Sequence, residues 1–199
     1  TFWRRDVGTI GGAAALQPLL AAGRVFVADA NGRVQALSEK GETLWAMDLD
    51  LRLGAGPALV DGRLIVGGRD GEIIALAAVD GTEQWRARLS SEVATLPAGN
   101  AEVLAIKTED GRLHALNPVD GAVRWVVPMT VPALTRRGNA PLVVTADAVL
   151  VGTSTGRLRA LALADGGVLW EEMIAEPRGR SEVERLVDVD AELLIAGPV

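Results

Sequence analysis

The run Gly111-Arg-Leu-His-Ala-Leu-Asn-Pro-Val-Asp-Gly-Ala-Val-Arg-Trp125 holds the pattern that decides the fold. From Arg112 to Leu116 it has the two-residue period of a strand, which sends Leu113 and the small Ala115 to one face. Asp120-Gly121 then supplies a tight reversal, because glycine tolerates positive φ and aspartate bonds its own backbone. A returning strand carries the chain on to Trp125. The run is a hairpin with a large aromatic side chain on its far arm.

Working outward, the same phrase stands at Gly32-Arg-Val-Gln-Ala-Leu37, Gly71-Glu-Ile-Ile-Ala-Leu76 and Gly156-Arg-Leu-Arg-Ala-Leu161. Each copy passes through a turn, at Lys40-Gly41, Asp80-Gly81 or Asp165-Gly166, to its own tryptophan. The five tryptophans, Trp3, Trp45, Trp85, Trp125 and Trp170, are spaced by 42, 40, 40 and 45 residues. Upstream of each hairpin a proline, Pro18, Pro57, Pro97 or Pro141, opens a short apolar run. A turn such as Asp61-Gly62 and a strand such as Arg63-Leu-Ile-Val-Gly67 follow it. A unit of about 40 residues with four short strands and three reversals is the content of one β-propeller blade.

A single four-stranded sheet cannot shield two apolar faces, so such units must stack face to face. Ala36, Ala75, Ala115 and Ala160 repeat one small residue on the stacking face, where adjacent blades approach closely. Each tryptophan buries roughly 150–250 Å², about 4–6 kcal/mol of gross transfer free energy, and reads as a wedge between neighbouring blades. The expected fold is all-β. Residues 1–199 form one partial β-propeller of four-stranded antiparallel blades over 16–45, 55–85, 95–125 and 140–170. A strand over 1–7, carrying Trp3, completes a blade whose other strands come from elsewhere, and a fifth unit starts over 186–199. The chain therefore reads as part of a longer ring, or as one whose ends another chain covers.

Composition narrows the function. The formal charge is −6 with no compensating Lys/Arg cluster, so nucleic acid is excluded as an expected partner. No cysteine is present, which removes disulfides, thiolate metal sites and a cysteine nucleophile. No stretch approaches 18 uninterrupted apolar residues. His114, the only histidine, occupies the repeat position of Gln35, Ile74 and Arg159, and that interchange marks a blade residue and not a ligand or base. The recurring Asp80, Asp120 and Asp165 are turn formers, and Gly54-Ala-Gly56 reads as an inter-blade loop. Neither a metal nor a cofactor is expected.

The hairpin phrase Ala115-Leu-Asn-Pro-Val-Asp-Gly-Ala-Val-Arg-Trp125 resembles the tryptophan-docking repeat of quinoprotein (PQQ) dehydrogenases and their non-catalytic relatives. Val131-Pro-Ala-Leu-Thr-Arg-Arg-Gly-Asn-Ala-Pro141 and Arg180-Ser-Glu-Val-Glu-Arg-Leu-Val-Asp-Val-Asp190 are similar to stretches of one such family, the outer-membrane protein assembly factor BamB, and the blade order agrees over the whole chain. The resemblance implies an eight-bladed ring of which this chain is the N-terminal half. It implies no catalysis, docking onto the periplasmic POTRA domains of BamA, and handling of unfolded outer-membrane protein precursors. It also implies the periplasmic face of the bacterial outer membrane, reached through a lipidated cysteine that would lie upstream of Thr1. The family's BamA-binding Leu-x-Leu-Arg falls on Leu134, Arg136 and Arg137, with Arg136 standing where the family has its second leucine. Its paired aspartates fall on Asp188 and Asp190.

The repeat points to the same places independently. The interval from tryptophan to the proline that opens the next unit is 12 residues after Trp45 and Trp85 but 16 after Trp125, and the stretch after Trp170 is the most charged of the chain. Function concentrates where a repeat is broken. Leu134 beside Arg137 offers an apolar anchor with a forked donor, against the alternative of a solvated loop. Asp188 and Asp190 either contact the partner or pair internally with Arg185 or Arg137. Two other functions fit the repeats. A quinoprotein dehydrogenase would need a carboxylate-held Ca²⁺ and a sandwiched quinone, and a generic interaction propeller would have another partner.

Overall fold

A computed structural model describes residues 3–9, 15–93, 95–129, 142–153 and 155–175, and all of its regular structure is β. A short strand, β1 (Ala15–Leu16), precedes the first blade, which is built from β2 (Leu19–Ala21), β3 (Arg24–Ala28), β4 (Arg33–Ser38) and β5 (Thr43–Asp48). Blade two holds β6 (Leu53–Val60), β7 (Arg63–Gly68), β8 (Glu72–Ala77) and β9 (Glu83–Arg88). Blade three holds β10 (Ala98–Gly99), β11 (Leu104–Thr108), β12 (Arg112–Leu116) and β13 (Val123–Pro128). Blade four holds β14 (Leu142–Val144), β15 (Ala148–Gly152), β16 (Arg157–Ala162) and β17 (Val168–Met173). Within each blade, consecutive strands pair antiparallel in chain order, so the hairpins read from the sequence are the hairpins that form.

The core lies between blades. Phe26, Val34 and Ala36 of blade one pack against Leu64, Val66, Ile74 and Leu76 of blade two. Ile65, Ile73 and Ala75 meet Leu104, Ile106 and Leu116, while Leu113 and Ala115 meet Val149, Val151 and Leu161. The alternating phrase thus gives each third strand one face for the blade before it and one for the blade after, with the recurrent alanine on the forward face.

Every described dock repeats one geometry. The indole of Trp45 donates to the carbonyl of Ala78 at 3.1 Å, Trp85 to Pro118 at 2.9 Å, Trp125 to Leu163 at 2.9 Å and Trp3 to Glu39 at 2.7 Å. Each ring lies on the glycine of the next blade's hairpin turn. A Cβ at Gly81 would come 2.6 Å from Trp45, and one at Gly121 2.6 Å from Trp85. The turn glycine therefore serves twice, through its positive φ and through the flat floor it gives the indole. The aspartate before it closes the turn from the other side: Asp80, Asp120 and Asp165 accept from the backbone N–H of Thr82, Ala122 and Gly167.

Three details differ from the sequence reading. The tryptophan sits mid-strand, not at the end of the unit: β5, β9, β13 and β17 run three residues past it in unbroken register with the third strand, and a β-bulge lies on the turn side of the tryptophan. Gly54 and Gly56, expected in a loop, lie inside β6, where register shifts accommodate the glycines and β1 pairs parallel at Ala55 and Gly56. Residues 3–9 pair in no strand among the described residues. They are held to blade one by Trp3, by Arg5 donating to the Gly41 carbonyl at 2.8 Å and to Thr43 Oγ1 at 2.7 Å, and by Ala30 N–H donating to the Thr9 carbonyl at 2.7 Å.

Candidate functional site

The ends of the outer strands share one anchor. The first residue past each strand donates its N–H to the carbonyl of the glycine opening the third strand: Leu49 to Gly32 at 2.9 Å, Leu89 to Gly71 at 2.8 Å, Met129 to Gly111 at 2.6 Å and Ile174 to Gly156 at 3.0 Å. All four connectors start from equivalent points on the same end of the blades. The first two then stay close to the next blade, through Arg69 N–H on the Arg52 carbonyl and Glu109 N–H on the Glu92 carbonyl, both at 2.9 Å. The third and fourth lead from Met129 and Ala175 into the two non-repeating stretches. Leu134, Arg136, Arg137, Asp188 and Asp190, the residues expected to meet a partner, lie outside the described residues. Their points of departure, adjacent and equivalent, lie within them.

Beside the Met129 anchor stands the most polar part of the interior. His114 is buried and faces blade two; its Nε2 lies 3.1 Å from Thr108 Oγ1 and 3.3 Å from Ser90 Oγ on the connector from blade two. The Thr108 hydroxyl also lies 2.5 Å from Asp110 Oδ1 and 3.2 Å from the Arg112 carbonyl, so imidazole, hydroxyls and carboxylate form one connected cluster. Burial holds the His114 pKa below the ordinary histidine value, opposed by the Asp110 charge and helped by Arg112. Burial pushes Asp110 up, but the Thr108 and Ser90 hydroxyls, with Arg112 and His114, outweigh it and leave the carboxyl below its usual range. All the polar atoms named point at one another and tie connector to blade, which suits a structural clasp and matches the reading of His114 as a blade residue.

The outer strands carry the other chemistry, which the sequence reading passed over. Arg33 on β4 pairs with Asp48 on β5 at 3.1 Å, in register. In blade two Glu72 faces Arg88 at 3.9 Å and Arg86 at 3.2 Å, and Arg86 also meets Glu83 at 3.0 Å. The Glu83 hydrogen bond leads the interactions that raise the Arg86 pKa. In blade four Glu171 on β17 takes Arg159 at 2.7 Å and Arg157 at 2.9 Å, and the Arg159 hydrogen bond leads the causes that lower its pKa. Blade three differs. Neither β12 nor β13 contains an acidic residue, Arg112 pairs with Asp110 in its own turn at 3.2 Å, and the residue opposite Arg112 is Pro128. Aligning the repeats on their tryptophans would have exposed this.

The family described as outer membrane protein assembly factor BamB has a model that matches residues 30–199. The chain is 37% identical over 192 residues to an outer membrane protein assembly factor BamB of Xanthomonas campestris pv. campestris, an alignment covering 91% of this chain and 47% of that relative. It thus spans about half the length of the relative it matches. Among solved structures, BamB from Moraxella catarrhalis superposes with a TM-score of 0.82 at 24% identity, covering 90% of this chain and 55% of that one. Quinohemoprotein alcohol dehydrogenase from Comamonas testosteroni superposes with a TM-score of 0.61 at 16% identity, covering 83% and 35%. Both superpositions establish the propeller fold and nothing further.

Proposed function

Because this chain belongs to the family of outer membrane protein assembly factor BamB, we propose that it is the N-terminal half of a non-catalytic scaffold of the barrel assembly machinery. The scaffold binds the periplasmic POTRA domains of BamA and aids the folding and insertion of outer-membrane β-barrel proteins. It works at the periplasmic face of the outer membrane, to which a lipid anchor upstream of Thr1 holds it. The observation that carries this reading is the common anchor. The connectors after β13 and β17, where the repeat is broken, leave from equivalent backbone bonds at Gly111 and Gly156 on adjacent blades. Two stretches whose sequence departs from the repeat, starting side by side on a common frame, suit one contiguous contact surface. Leu134 and Arg137 would supply the apolar anchor and the forked donor, Arg136 a second cation, and Asp188 and Asp190 contact or support.

A titration of the full-length protein with the isolated POTRA domains of BamA tests this, comparing wild type with Arg137→Ala. Saturable binding that weakens at least about tenfold in the variant is the expected result, since a forked interface arginine is a common hot spot. Equal binding by both proteins would remove the connector assignment, and binding by neither would remove BamA as the partner.

A further inference from the structure

His114, the one histidine of the chain, is buried where a single turn holds two connectors. The turn from Thr108 to Gly111 joins β11 to β12. On one side it takes the connector from blade two: Glu109 donates its N–H to the Glu92 carbonyl at 2.9 Å, and Thr108 bridges Val93. On the other side the Gly111 carbonyl accepts the Met129 N–H at 2.6 Å, where the connector to blade four begins. His114 spans this junction, with Nε2 3.1 Å from Thr108 Oγ1 on the turn and 3.3 Å from Ser90 Oγ on the incoming connector. Blade two repeats the backbone anchors at Arg69 and Leu89, but Ile74 fills the position of His114, as Gln35 and Arg159 do in blades one and four. Only blade three puts a group that titrates near neutral pH into this junction.

The surroundings of the ring favour its neutral form. β11 sets Ile106 opposite His114, and β13 sets Val126 there. Blade two faces this interface with Ile73 and Ala87, while Glu72 and Arg88 alternate to its other face. Lys107 on β11 is in register with Leu113, likewise on the opposite face. The other charged groups on the elements around the ring are Glu109 and Asp110 on the turn, Arg112 on β12, Arg124 on β13 and Glu92 on the connector. Burial is the largest influence and lowers the His114 pKa; Asp110 opposes it, and Arg112 adds to it. A proton on the ring places a cation in an apolar interface, a cost the junction escapes by opening and letting the ring reach water.

We propose that His114 is a proton-operated release for the connector end of blade three. In mild acid the imidazolium leaves the junction, and the Glu92 and Met129 anchors on the turn loosen together. That the connector after Met129 carries a partner rests on the scaffold reading above; the release itself rests on the geometry of the turn.

The test is backbone hydrogen exchange of the full-length protein at about pH 7.5 and about pH 5, on either side of the ordinary histidine value. Rates are corrected for intrinsic exchange at each pH, wild type is compared with His114→Gln, and POTRA binding is titrated under the same conditions. In wild type the amides of Glu109 and Met129 should lose protection at least about fivefold in acid, because the open state takes up a proton that the closed state resists. Those amides should stay within about twofold in His114→Gln, as should Arg69 and Leu89, the blade two anchors, in both proteins. POTRA binding should weaken in acid for wild type and not for the variant. Protection of Glu109 and Met129 that holds in wild type, or falls equally at Arg69 and Leu89, overturns the proposal; that comparison stands within wild type alone, whatever the stability of the variant. An equal loss in folded His114→Gln overturns it too. Loosened anchors with POTRA binding unchanged by pH would leave the release standing and count against the connector as the contact, and no POTRA binding at either pH would count against BamA as the partner.

Discussion

Blades two and three are built on one plan and finished differently. Each stacks its third-strand alanine against the next blade, docks its tryptophan on the next turn glycine, and ends its outer strand on a turn carbonyl. Blade two then sheathes its outer edge in Glu72, Glu83, Arg86 and Arg88 and sends out a short connector held to its neighbour. Blade three carries Val123, Arg124 and Val126 on that edge, with no acidic residue on β12 or β13, and sends out the long connector. The frame is a property of the repeat, and function is assigned to the departures from it. That division can be broken or sharpened by substitution.

The largest effect should come from the docks. Trp85→Ala and Trp125→Ala should each cost about 3–5 kcal/mol in denaturant unfolding of the full-length protein, because each deletes a buried aromatic wedge. The two values should be similar, since both indoles are 8% exposed and each donates at 2.9 Å. A clear inequality would show that the blades are not equivalent frames. Gly121→Ala comes next. Positive φ alone costs about 1–2 kcal/mol, and here a Cβ also meets the Trp85 ring. Gly62→Ala has a similar φ and no heavy atom within 4 Å of the added carbon, so it isolates the backbone share; an equal loss in the two would mean that the turn glycine is not a docking floor.

The clasp in blade three should respond to pH. His114 is neutral in the folded protein with its pKa lowered mainly by burial, so its contribution is fully present above about 6.5, the ordinary histidine value. It is lost as pH falls through the lowered native value, and Asp110, also lowered, adds loss of the same sign at more acid pH. His114→Gln installs the residue that blade one has at Gln35. Between roughly pH 7 and pH 5 its unfolding midpoint should fall less than that of wild type. Parallel curves would mean that the imidazole is not the titrating group.

The smallest change in stability should accompany the most informative exchange of chemistry. Arg86→Val with Arg88→Pro removes the ion pairs of blade two's outer strand, and the loss of these exposed pairs should cost under about 1 kcal/mol. A loss well above that in denaturant unfolding would show that the outer-strand ion pairs belong to the frame.

Most of this frame was legible in the sequence, because the repeat writes both halves of each dock: Trp45 and Gly81, Trp85 and Gly121, and Trp125 and Gly166 all recur in register. The partnering of one unit's tryptophan with the following unit's turn could not be read, since periodicity gives the elements and not their neighbour in space. The glycines of β6 misled because Gly54-Ala-Gly56 has loop composition but here admits a bulged strand with a parallel partner on its other side. The β13 edge was missed for a different reason. Its signal is the lack of a cross-strand ion pair that the other blades have, which an alignment of the repeats on their tryptophans shows by setting Pro128 level with Asp48 and Arg88. Leu134, Arg136, Arg137, Asp188 and Asp190 were reached through a family resemblance, one long interval after Trp125 and the charged stretch after Trp170, and are proposals.

Backbone hydrogen exchange of the full-length protein, with and without the POTRA domains of BamA, tests the division between frame and function most directly. The account predicts that added protection falls on the segments following Met129 and Ala175, with blade two's outer strand and the connector from Leu49 to Arg52 unchanged. Protection spread over blade two, or absent after Met129, would contradict it.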